Sequence, residues 1–183
     1  SRNPLFWIDV NMKLKVLSEK AKTTIEAEFT KYPDKQSALL PSLWIVQKEL
    51  GYLSEPAMID VATLLDITPV QVYDVASFYY MYNLKPVGKF HIQVCKTLSC
   101  MLAGSNGMID HLKKRLGIGL HETTSDGLFS LKGVECLAAC GSGPMMQINE
   151  DYYEHLTVAK VDQILEDLKR DGKSSLATQK FRL

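Results

Sequence analysis

The chain has 183 residues, 46% of them hydrophobic and 23% charged, and 21 Lys and Arg balance 21 Asp and Glu. That length allows one domain or two small ones, with a core that needs no disulfide or metal staple. Zero net charge argues against a nucleic-acid or anionic-membrane binder as the main identity, and no apolar run approaches the ~18 residues of a membrane span.

Residues 1–17 read as a mobile or docking arm, with Asn3-Pro4 followed by a short apolar stretch from Leu5 to Val10. Ser1–Lys22 lacks a long apolar h-region, so a secretory signal is expected to be absent or already removed, and Ser1 in place of Met fits processing. From Leu14 onward Leu14, Leu17, Ala21, Ile25 and Phe29 follow helical spacing, and Pro33 stops the run. A second helix falls within 34–50 and ends at Gly51. Either Asp34 caps it, with a kink at Pro41, or Pro41 is its first residue. Ser54 caps a third helix with Met58, Val61, Ala62 and Leu65 on one stripe. Thr68-Pro69 opens a fourth, with Val72, Val75, Ala76 and Tyr79 on one face. Residues 18–82 therefore read as a helical domain, and Asn83–Gly88 breaks the pattern with Pro and Gly.

The period then changes. Phe90, Ile92 and Val94 alternate with Lys89, His91 and Gln93, as in a strand. Ser105–Leu116 is a helix with Met108, Ile109, Leu112 and Leu116 inward, closed by Lys113, Lys114, Arg115 and Gly117. Leu128–Glu135 is a second strand. Met145–Ile148 and Tyr152–Leu156 flank a turn and form a hairpin. Thr157 caps a last helix with Val161, Ile164, Leu165 and Leu168 on one face. Residues 83–172 thus form an α/β domain, and the basic tail 173–183 reads as a solvated end or a partner contact.

A strand–helix–strand unit in one sheet is almost always parallel with a right-handed crossover. Its two strands end on the same edge. Cys95 ends the first strand, and Cys136 follows the second. All four cysteines lie there as two pairs, Cys95 with Cys100 and Cys136 with Cys140, with 35 residues between the pairs. In a chain without secretory marks, paired spacing reads as metal ligation before disulfides. Zinc needs four sulfurs meeting at one tetrahedral point, whereas a two-iron cluster lets each pair hold its own iron. The second geometry suits two loops better. A four-cysteine structural zinc scaffold, buried thiols without a ligand and a thiol–disulfide enzyme remain as alternatives. Backbone N–H groups with Thr97, Ser99 and Ser142 are candidate donors to an anionic cluster.

Asp126-Gly-Leu-Phe-Ser130, five residues, then Cys136-Leu-Ala-Ala-Cys140-Gly-Ser-Gly-Pro144 resembles the signature of the 24 kDa (E chain) subunit family of respiratory complex I. Val94-Cys95 with Cys100, Met145–Asn149, Thr68-Pro69 and Ser77-Phe78-Tyr79 fit as well, over roughly residues 20–170. One departure is Ala138, where the family motif usually has Gly; it is expected to be tolerated unless the position needs positive φ.

The resemblance implies an α+β fold, with an N-terminal helical bundle followed by a thioredoxin-like domain built on a mixed four-stranded sheet. It implies one [2Fe-2S] cluster on Cys95, Cys100, Cys136 and Cys140, the first two on one iron and the last two on the other. It implies an electron-transfer subunit of NADH:quinone oxidoreductase, with NADH and FMN on a partner flavoprotein of the 51 kDa type. Other peripheral-arm subunits are further expected partners, with no nucleic acid and no direct membrane insertion. The expected place is cytoplasmic, peripheral to the inner membrane, or the mitochondrial matrix side in a eukaryote. Soluble NAD-linked hydrogenases and formate dehydrogenases use similar subunits and are the alternative parent complexes.

No catalytic residue is expected on this chain. G-x-G-x-x-G fails after Gly119, no P-loop is present, and the four His show no site spacing. Residues 60–77 fit a helix-turn-helix, but Ser54–Leu84 holds four acids and no Lys or Arg, the wrong sign for phosphate. Tyr73, Phe78, Tyr79, Tyr80 and Tyr82 are assigned to the core, with a docking face as the alternative. A cis bond is expected at Gly143-Pro144, by likeness to thioredoxin-like folds.

Overall fold

The computed structural model describes residues 16–180, and the chain divides into two compact units between Pro86 and Val87. The first unit is helical: α1 (Glu19–Glu28), α2 (Leu39–Leu50), α3 (Glu55–Leu65) and α4 (Pro69–Phe78). Its core gathers Ile25, Leu43, Val46, Leu53, Val61, Leu65 and Val72. The caps are those of the sequence. Ser18, Ser54 and Thr68 each accept a backbone N–H of the first turn, and Thr68 completes a capping box with Gln71. α1 starts at Glu19 because Ser18 caps it, leaving Leu17 buried ahead of the helix; Leu14 and most of the arm, residues 1–15, lie outside the described residues.

Between α1 and α2 neither expected start holds alone. Asp34 accepts from the Ser37 N–H at 2.8 Å and supports a 3-10 turn at Gln36–Ala38, and α2 follows at Leu39. Pro41 is third in that helix, where its missing N–H would have had no helical acceptor. Gly51 ends α2 in the left-handed region, φ 81°, which Gly adopts without steric cost. Buried polar groups then pin the ends. Asp60 accepts from Val16 and Leu17 N–H, and Gln47 donates to the Met81 carbonyl and accepts from Asn83 N–H.

The aromatic assignment is corrected here. Only Tyr82 is buried, its hydroxyl donating to the Leu40 carbonyl at 2.9 Å, while Tyr73, Phe78, Tyr79 and Tyr80 are exposed. Tyr79 falls off the buried face because α4 ends one residue earlier and the chain turns to extended backbone there.

The second unit is built on a mixed six-stranded sheet of order β2-β3-β1-β4-β5-β6. The strands are β1 (Phe90–Cys95), β2 (Glu122–Thr123), β3 (Phe129–Val134), β4 (Met146–Ile148), β5 (Asp151–Tyr153) and β6 (Gln179–Lys180). The four expected strands form its centre, and a two-residue strand extends each edge. β1 and β3 are parallel, with Ile92 opposite Leu131 and Cys95 opposite Val134; β1 and β4 are antiparallel. α5 (Leu98–Leu102), α6 (Ser105–Leu116) and α7 (Val158–Asp171) complete the unit. Phe90, Ile92, Val94, Phe129 and Leu131 pack in one core with Ile109 and Leu112 of α6 and Val161, Ile164, Leu165 and Leu168 of α7.

Gly88 is required where the chain enters this sheet, since a Cβ there would lie 2.8 Å from the Phe129 carbonyl carbon. The hairpin is tied to β1 by Asn149, whose side chain accepts from His91 N–H at 2.9 Å and donates to the Lys89 carbonyl at 3.0 Å. The tail differs from its reading as a solvated end. Leu176 and Ala177 pack against the core, and β6 pairs with β5, because β5 offers an open edge.

Candidate metal centre

Parallel pairing of β1 and β3 delivers both cysteine pairs to one sheet edge. Cys95 is the last residue of β1, and Cys100 sits in α5. Cys136 lies just beyond β3, and Cys140 opens a 3-10 turn, Cys140–Ser142. None of the four is in a disulfide; Cys95 and Cys100 are buried, Cys136 and Cys140 exposed. Leu137 is buried against Cys95, Cys100, Val134 and Met145, so the two loops share one small apolar cluster. Across its surface Lys96 and Glu135, each next to a cysteine, form an ion pair at 3.3 Å.

The sulfurs of Cys136 and Cys140 are 3.9 Å apart. Two sulfurs bound at ~2.3 Å to one tetrahedral metal stand about 3.8 Å apart, so this pair is spaced to chelate one ion. Cys95 and Cys100 are buried in one small apolar cluster with Val134, Leu137 and Met145. Among the described residues no three His, Cys, Asp or Glu side chains gather to hold a single metal ion. The thiols are carried as two pairs on the two loops that follow β1 and β3.

Donors converge on the sulfurs. The Thr97 hydroxyl lies 3.2 Å from Cys95 Sγ, and Ala138 N–H donates to Cys136 Sγ at 3.3 Å. Backbone N–H groups of Leu137 and Thr97 also reach Cys95, and that of Met145 reaches Cys100. Burial opposes ionisation of Cys95, but the Thr97 hydroxyl and the two backbone donors outweigh it and hold the thiol below its ordinary pKa. Burial, then the neighbouring Cys95, pushes Cys100 up.

One expectation about donors and one about the backbone are corrected. Ser142 turns away from the sulfurs, since its hydroxyl is engaged by the Ala139 carbonyl and the Glu154 carboxylate. Ala138 has φ 62°, so this is the position that needs left-handed backbone. The Gly143-Pro144 bond is cis, as expected. The short helix α5, which carries Cys100, has no counterpart in the sequence pattern, because five residues carry no periodicity that shows.

Fold and site together define a thioredoxin-like α/β domain that presents four thiols as two pairs at one sheet edge. The family model of thioredoxin-like [2Fe-2S] ferredoxins matches residues 25–169. The chain is 46% identical over 145 residues to the second E-type subunit of NADH-quinone oxidoreductase from Rhizobium meliloti (strain 1021), covering 79% of this chain and 86% of the relative. It is 43% identical over 148 residues to NADH-quinone oxidoreductase subunit 2 of Thermus thermophilus, covering 79% and 82%. A solved NAD+-reducing [NiFe]-hydrogenase in the air-oxidized state superposes with TM-score 0.67 at 20% identity, covering 79% of this chain; this chain spans 25% of that one. That likeness is one of fold. The chain belongs to the thioredoxin-like [2Fe-2S] ferredoxin family and, within it, groups with the E-type subunits of NADH-quinone oxidoreductase. The family's cofactor is one [2Fe-2S] cluster.

Proposed function

We propose that the chain is the electron-transfer subunit of an NADH:quinone oxidoreductase and holds its cluster on Cys95, Cys100, Cys136 and Cys140. The observation that carries this is the arrival of two thiol pairs, one spaced 3.9 Å, on neighbouring loops at the edge where β1 and β3 end. A [2Fe-2S] group bound there supplies storage of one electron at a time. The chain's own residues do the rest. The buried Cys95 and Cys100 would hold one iron, and the exposed Cys136 and Cys140 would hold the other. Thr97, Leu137, Ala138 and Met145 direct donors at sulfur, which offsets the anionic charge of the loaded site. Leu137 keeps the two loops packed, so little has to rearrange when an electron arrives.

Hydride chemistry belongs to another subunit in this reading. The partner is a flavoprotein that binds NADH and FMN, and the exposed pair faces outward to exchange electrons with it. The complex keeps this subunit outside the bilayer; among the described residues no helix is long and apolar enough to cross a membrane. Relatives named for quinone oxidoreduction, at 43% to 48% identity, favour that parent complex over a hydrogenase.

Anaerobic reconstitution of the full chain with ferrous iron and sulfide tests the reading. Two irons and two labile sulfides per chain, a brown colour and a rhombic EPR signal on reduction are expected. One zinc per chain with no labile sulfide would sink it. Stable association with the matching flavoprotein, and reduction of the cluster by NADH only in that mixture, is the expected second result.

A further inference from the structure

Five helices among the described residues have Ser or Thr at the N-cap: Ser18, Ser54, Thr68, Thr97 and Thr157. Four of them use the side-chain oxygen in the usual way, accepting a backbone N–H of the first turn. Thr97 has the extended backbone of a cap, φ −74° and ψ 167°, yet makes no such bond. Its hydroxyl lies instead 3.2 Å from Cys95 Sγ. In a protein thiol pair either atom can donate. A sulfur bound to metal carries no proton, so the hydroxyl must then be the donor. Cys95 is buried, where solvent gives its sulfur little help, so this hydroxyl and the nearby backbone N–H groups bear the charge.

We propose that Thr97 sets the reduction potential of the cluster, through a hydrogen bond from its hydroxyl to the Cys95 sulfur. Reduction turns one ferric ion ferrous and adds a negative charge that spreads onto the thiolates; no bond to the protein forms or breaks, and the hydroxyl keeps its proton. A donor at sulfur stabilises the more negative state more strongly than the oxidised one. The hydroxyl therefore raises the potential. Thr97 is a positioning residue, since it acts through Cys95. The inference rests on the ligand assignment proposed above.

The test compares the full chain with Thr97→Ser, Thr97→Val and Thr97→Ala, each reconstituted with iron and sulfide and assayed for labile sulfide before an EPR-monitored redox titration. Thr97→Val and Thr97→Ala are expected to titrate at a more negative midpoint with full cluster content, and Thr97→Ser to match the unsubstituted chain. A loaded Thr97→Val with an unchanged midpoint would overturn the proposal, and so would a Ser variant shifted as far as Val. Loss of the cluster from both Val and Ala would overturn it too, because the hydroxyl would then serve assembly. If the unsubstituted chain takes up no sulfide, the ligand assignment has failed instead, and the two failures are distinct.

Discussion

The loop after β1 and the loop after β3 each present two thiols, but the first pair is buried and the second is exposed. The buried pair is held by regular structure, a strand end and the short helix α5, and its sulfurs are met by a hydroxyl and backbone N–H groups. The exposed pair is held by irregular chain, with one left-handed residue and one N–H aimed at Cys136. Water can solvate an exposed sulfur and cannot reach a buried one, so the demand for protein donors differs. The lesson is that four chemically equal ligands are supported unequally. Substitutions should reveal that difference.

The largest expected effect is all-or-none. Cys136→Ala removes half of the chelating pair and should abolish cluster absorbance after reconstitution. Far-UV circular dichroism should still report the helices of the first unit. Retained absorbance would count against the ligand assignment.

Next is Leu137, the apolar contact shared by both loops and only 6% exposed. Leu137→Ala should cost about 3 kcal/mol in urea unfolding of the cluster-free chain. Leu102, on α5 and 76% exposed, is the control: Leu102→Ala should change stability by no more than about 0.5 kcal/mol. Equal effects would erase the contrast between interior and surface at this edge.

The strand that feeds the buried loop carries a pH-dependent element. His91 is buried, neither ring nitrogen has a hydrogen-bond partner among the described residues, and its pKa is lowered to about 4. Burial is the main cause, and the charges of Lys132 and His121 add to it. Its folded pKa lies below the ordinary value, so the unfolded chain binds the proton first as pH falls. His91's contribution is then complete above about pH 6.5 and lost progressively as pH falls through about 4, by about 3 kcal/mol in all. Unfolding at pH 7 and pH 4.5, set against His91→Gln, reads this directly. An identical pH dependence in the variant would remove His91 from the account.

The smallest expected effect is in the exposed loop. Ala138 holds φ 62°, a conformation that Gly adopts without a clashing Cβ. Ala138→Gly should stabilise the cluster-free chain by up to about 1 kcal/mol and keep the N–H that reaches Cys136. A loss of stability would show that the left-handed backbone carries no strain.

Much of this was legible in residue spacing. The helical stripes, the caps at Ser54, Thr68 and Thr157, and the helix Ser105–Leu116 follow from local pattern and recur in the structure. These signals work because a helix buries residues three and four apart and its free N–H groups need an oxygen within three residues. The order strand, helix, strand was enough to bring Cys95 and Cys136 to one edge, because such a unit pairs its two strands in parallel.

Other features depended on contacts distant in sequence. Whether an aromatic at the end of α4 is buried depends on where the chain turns, and only Tyr82 finds cover. The tail has no strand pattern of its own, and Gln179–Lys180 is a strand because β5 offers unpaired backbone. Ser142 was a candidate donor to sulfur, and only the position of Glu154, twelve residues on, engages its hydroxyl elsewhere. The sequence by itself determined which residues are candidate ligands and which edge they share, because both follow from local periodicity and strand order. Tertiary structure alone decided which sulfurs are buried and which of the candidate hydroxyls turns to sulfur, because burial arises only when distant segments pack and Ser142 is drawn off by Glu154 twelve residues away.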